Sequence, residues 1–164
     1  MKANPSIFVL LVVILSIASC SKDGNEVDNQ KPEIDLSINQ AFPQNCDTLY
    51  FGEPFTFIVK LGDNVELGSF SIDVHNNFDH HSHSTEVTEC SPDPNKSPVN
   101  PLVFIQDYSI PAASNQYETN FTITLSASNS VGIYDEGDYH FLISLTDKSG
   151  WSTQKGLSVK ILRR

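Results

Sequence analysis

From residue 31 onward the chain alternates apolar and polar residues and shows no sustained helical period. Apolar side chains recur at every second position in six runs. These are Ile34, Leu36 and Ile38; Phe55, Phe57, Val59 and Leu61; Phe70, Ile72 and Val74; Phe121, Ile123 and Leu125; Tyr139, Phe141, Ile143 and Leu145; and Leu157, Val159 and Ile161. Successive side chains on a strand point to opposite faces, so each run predicts a strand with one buried face. "LVFIQDY" (Leu102 to Tyr108) is a further strand, reached through "SPDPNKSPVNP", whose prolines cannot donate to a ladder. "GEP", "GDN" and "DKSG" supply the Gly, Pro, Asn and Asp that tight turns require.

Seven or eight short strands within about 130 residues predict an immunoglobulin-like antiparallel β-sandwich. In that fold Gly68–His75, Asp138–Thr146 and Thr153–Ile161 share one sheet, with Asp138–Thr146 in the middle. Tyr139, near the start of the middle strand, fits either a tyrosine corner, with its hydroxyl bonded to upstream backbone, or a simple buried aromatic.

The N-terminal segment has a different character. Lys2 precedes the apolar run "IFVLLVVILSI", which is short for a membrane span and suits a secretory signal. "SIASC" resembles the lipobox of bacterial lipoproteins, whose cysteine is lipidated and becomes the mature N-terminus; an ordinary signal peptide with an incidental cysteine is the other reading. Residues 1–19 are thus expected to be a lipoprotein signal. Residues 20–31 are expected to be lipidated Cys20 and a polar tether that includes Asp23, Glu26 and Asp28, and residues 32–164 the sandwich domain. The expected location is the cell envelope, lipid-anchored, on the periplasmic or surface face of an outer membrane. Losing Lys2 with the signal leaves nine basic residues against twenty acidic ones, a net charge of −11. Nucleic acid is therefore excluded as a partner, the membrane is met only through the lipid, and cations are favoured. Cys46 and Cys90 remain as an even pair in an exported protein, where a disulfide is expected over thiolate metal ligands.

One stretch carries candidate chemistry. "HNNFDHHSHS" (75–84) holds His75, His80, His81 and His83, leaving His140 as the fifth and last histidine. Neutral imidazole is the commonest metal ligand. Copper(II) should bind such a set most tightly, with zinc and nickel as the other divalent transition ions to consider. His81 and His83 share a face if the chain is extended. With Phe70, Ile72 and Val74 inward, Asp73 and His75 point outward; with Tyr139, Phe141 and Ile143 inward, so do Asp138 and His140. Antiparallel pairing of the two strands then sets His75 beside His140 on the outer face and gathers all five histidines at one edge. Asp79 is expected either to add a carboxylate oxygen or to orient an imidazole from behind. A solvated polar loop, or an imidazole cluster that titrates without metal, are the competing readings.

"SIDVHNNFDHHSHS" followed by "GDYHFLISLTDKSGW" resembles the small Bacteroidota lipoproteins grouped as domain-of-unknown-function family 4625. The likeness runs over nearly the whole mature chain. It implies an immunoglobulin-like fold and a His-rich site, and it implies no particular activity. Members of that family often carry a second histidine where Asn76 stands.

The function expected first is a lipoprotein that captures, buffers or hands on a divalent transition metal, with an outer-membrane transporter or other envelope protein as recipient. A carbohydrate- or protein-binding accessory module comes second and would need an exposed aromatic platform, for which Trp151 is the candidate. A redox or hydrolytic metalloenzyme comes third. The chain has no HExxH or GxSxG motif, and it does not reproduce the ligand spacing of copper–zinc superoxide dismutase. Catalysis is not expected.

Overall fold

The alternating runs do bury one face each. In the computed structural model, which describes residues 28–82 and 90–164, Phe57, Val59, Leu61, Ile72, Val74, Tyr139, Phe141, Ile143, Leu145 and Ile161 are all wholly enclosed. The signal segment, Cys20 and His83 lie outside the described residues.

Ten strands form: β1 (Glu33–Asp35), β2 (Thr48–Tyr50), β3 (Pro54–Phe57), β4 (Lys60–Gly62), β5 (Leu67–Asn76), β6 (Val103–Ser109), β7 (Gln116–Glu118), β8 (Phe121–Thr124), β9 (Gly137–Asp147) and β10 (Ser152–Leu162). β2, β10, β9, β5 and β6 make one five-stranded sheet, in that order. β9 lies between β5 and β10, as the immunoglobulin-like fold predicts, and pairs antiparallel with both. β2 joins the far side of β10 in parallel. The opposing layer is made by β1–β4–β7 and the β3–β8 pair. The fold is an all-β, immunoglobulin-like sandwich. Between its layers Phe57 stacks on Phe141 at 5.9 Å and on Phe70 at 6.2 Å. Each such aromatic buries enough apolar surface to contribute about 2–3 kcal/mol.

Strand count exceeds the expected number for a physical reason. The run from Phe55 to Leu61 is split into β3 and β4 because Thr119 enters the ladder. Its buried hydroxyl accepts from the Val59 amide at 2.9 Å and donates to the Phe57 carbonyl at 3.1 Å. A side chain thereby satisfies backbone groups that strand pairing would otherwise use. The run Ile34 to Ile38 is likewise shortened to β1, and Leu36 packs on the core from beyond its end.

Tyr139 makes the corner. Its hydroxyl donates to the Asp135 carbonyl at 2.6 Å and accepts from the Leu102 amide at 3.2 Å, tying the start of β9 to the approach of β6. Tyr139→Phe should therefore cost about 1–3 kcal/mol in equilibrium unfolding. A loss below about 0.5 kcal/mol would show that water replaces both bonds. Burial pushes the Tyr139 phenol up to about 12 from its ordinary 10.0. A raised folded pKa gives stability that is complete below pH 10 and is lost as pH rises toward about 12.

Cys46 and Cys90 are bonded, with Cα atoms 5.2 Å apart. Thiol labelling of denatured, unreduced protein should find neither reactive; two free thiols would contradict the bond.

Candidate metal centre

Near the end of β5 and the start of β9, one rung in from the last pair Asn76–Tyr139, His75 and His140 are paired directly in register. Both rings stand on the outer face of the sheet, 5.2 Å apart between centroids. The third ring arrives from the loop. After β5 the chain reverses in a turn closed by the His80 amide on the Asn77 carbonyl at 3.3 Å, with His80 itself at φ 58°. Phe78 anchors that turn. It is 2% exposed, meets Tyr139 edge-on at 5.4 Å and lies under the Lys96 ammonium at 4.2 Å. Gly137 leaves room for it: at φ 133° a Cβ would sit 3.2 Å from the Phe78 ring. The reversal lays His81 over the sheet, 4.7 Å from His140 and 5.9 Å from His75 between ring centroids.

One ring nitrogen from each of His75, His81 and His140 falls within 4.8 Å of the other two. Zinc bound at about 2.0–2.1 Å needs tetrahedral nitrogen neighbours about 3.4 Å apart, so small ring movements close the shell. The rings are also oriented. His75 Nδ1 meets Asp73 Oδ1 at 2.8 Å, and His81 Nδ1 meets Asp79 Oδ1 at 2.6 Å. A carboxylate only accepts, which makes Nδ1 the protonated nitrogen and places the lone pair of each neutral ring on Nε2. His140 Nε2 lies 3.1 Å from the His81 carbonyl, which also only accepts, so its lone pair falls on Nδ1. Carboxylates and carbonyls behind the imidazoles are the usual device for fixing ligand tautomers. The hydrogen bond with His81 holds the Asp79 carboxyl below the usual carboxylate range.

Three of the expected ligands therefore come together, and two described residues take other parts. Asp79 orients His81 and does not join the ring cluster. His80 is turned away by its left-handed backbone and faces Asp138, with Nε2 3.9 Å from Oδ2. His140 lies on the outer face of the sheet and is nevertheless wholly buried, because the returning loop lies over it. Asp73 is the residue sequence reasoning passed over. The signal for it was present: Asp73-Val74-His75 and Asp79-His80-His81 repeat a carboxylate two positions before an imidazole. Trp151, the candidate platform for a sugar, is 41% exposed, and its indole NH donates to the Asp28 carbonyl at 3.1 Å.

No curated protein matches the sequence. Among solved structures, the sporulation control protein Spo0M of Bacillus subtilis aligns at 12% identity with a TM-score of 0.39. The match covers 82% of this chain and 49% of that one, so the chain spans about half the length of that protein. A family model matches residues 18–162, and the chain belongs to the family described as Domain of unknown function (DUF4625).

Proposed function

We propose that this domain binds a divalent transition-metal ion through His75, His81 and His140, for capture, buffering or handover at the cell envelope. The observation that carries the proposal is the convergence of three imidazoles, each with one nitrogen held by an oxygen acceptor. Among the described residues three ligands converge, which on a four-coordinate ion leaves one position for a further donor, and a recipient's ligand could enter there. An all-imidazole set suits zinc, copper(II) and nickel, with copper(II) the tightest. Lipidation at Cys20 would keep the domain at a membrane surface, and an envelope transporter would be the fitting recipient.

Calorimetric titration of the full chain in detergent with zinc, nickel and copper(II) tests this directly. One ion per chain is expected. Asp73→Ala should weaken binding by about 10–100-fold while leaving the fold intact, because it frees the His75 ring to turn. No heat with any of the three ions would remove the site. Polysaccharide binding without a metal response would favour the accessory module instead. Affinity should also fall as pH drops through about 6, since protons compete for the imidazole lone pairs. Affinity unchanged down to about pH 5 would point to carboxylate ligands.

A further inference from the structure

At the opposite end of β9 three carboxylates meet. Asp28 precedes β1, Asp63 lies in the turn after β4, and Asp147 closes β9. One oxygen from each lies within 4.8 Å of the others. Each carboxylate spends one oxygen on the protein. Asp28 Oδ1 accepts from the Gln30 amide and the Asn64 side chain, both at 3.1 Å; Asp63 Oδ2 accepts from the Val65 amide at 2.7 Å; Asp147 Oδ1 accepts from the Trp151 amide at 2.9 Å. The second oxygen of each, Asp28 Oδ2, Asp63 Oδ1 and Asp147 Oδ2, is buried without a hydrogen-bond partner. Asp147 is itself only 4% exposed, so its unpartnered oxygen is shut inside the cluster.

Buried polar atoms are almost always satisfied, and three orphaned carboxylate oxygens in one place are far outside that rule. Like charges this close repel one another. Among the described residues none of the ion pairs involves these three aspartates. A cation between them would satisfy the oxygens and cancel the repulsion together. The donors are all hard, anionic oxygens with no imidazole or thiolate, which selects calcium or magnesium over the transition series. Oxygens bound to one calcium ion at about 2.3–2.6 Å can stand up to about 5 Å apart, a span that accommodates this cluster without the tight octahedron magnesium demands.

We propose that Asp28, Asp63 and Asp147 form a calcium site that is separate from the imidazole cluster and chemically unlike it. Terbium, a luminescent stand-in for calcium, gives a direct probe because Trp151, the only tryptophan, bonds both Asp28 and Asp147. Terbium added to the chelator-treated full chain should emit on tryptophan excitation, and excess calcium should quench that emission. Asp63→Asn and Asp28→Asn, at half-buried positions that keep their hydrogen-bonding oxygen, should each weaken binding by at least about tenfold, since ligand charge sets calcium affinity. His140→Ala should leave the emission unchanged, which separates the two sites. Trp151→Phe should abolish the emission yet retain the rise in melting temperature with calcium. No sensitised emission together with no calcium-dependent rise in melting temperature would overturn the proposal. So would emission that survives both aspartate substitutions.

Discussion

Replacing His140 with alanine is expected to weaken zinc binding by at least about 100-fold, at or above the top of the 10–100-fold range typical of losing an orienting partner. The effect has two sources. One of three imidazoles disappears, and with it goes the hydrogen-bond contact at the His81 carbonyl, which helps seat the loop over the sheet. His140 is wholly buried on the central strand, so part of any loss could be structural. Unfolding of the metal-free variant separates the two: an affinity loss in a variant destabilised by less than about 3 kcal/mol belongs to the ligand set. His80→Asn is the control. Asparagine tolerates the left-handed backbone at that position, and His80 faces Asp138, so affinity should not change. Normal affinity in His140→Ala, or lost affinity in His80→Asn, would mean that other histidines hold the ion.

Removing the disulfide should give the largest loss of stability. Cys46 and Cys90 are 44 positions apart, and in the chain-entropy model opening a loop of that size costs about 4 kcal/mol. For a domain of this size that corresponds to a fall of roughly 10–20 °C in melting temperature for the Cys46→Ala, Cys90→Ala double variant. The bond also bears on the candidate centre. Cys90 lines the same hollow as His80, His81 and Asp138, so it fastens the far foot of the segment that carries His81. Loosening that foot returns conformational freedom to the loop, and metal affinity should fall along with stability. Titrating the double variant at a temperature where it remains folded checks this. An unchanged affinity there would show that Phe78 and the His80 turn position His81 unaided.

The strands and their faces were legible because a two-residue period admits only two answers, and each apolar stripe chose one. Phe70, Ile72 and Val74 facing the core put His75 outside, and the same logic placed His140; register did the rest. Periodicity has no purchase on residues that leave it. Nothing in the alternation signals that Thr119 would break the ladder beside Val59, nor that His80 would adopt φ 58° and turn from its neighbours. β2 and β7, three residues each, are too short to show a period. The burial of His140 was equally invisible, since it depends on where a loop returns. Asp28 looked like solvated tether because its composition is that of one. Its partners, Asn64 and Trp151, lie 36 and 123 positions away and are brought to it only by the fold.

β9 also gives the molecule a polarity. The His75–His140 rung stands at one end and the Leu67–Asp147 rung at the other, seven residues along the strand, or about 23 Å. Asp28 sits at the Asp147 end, and Cys20 is eight positions upstream of Asp28. A domain suspended from a lipid on Cys20 would hang by its acidic end and hold the imidazoles away from the bilayer, a domain's length out. Such an arrangement sets a standoff height: a recipient would have to reach the histidines from the far side, and shortening β9 and its neighbours would lower the site toward the membrane without touching a ligand.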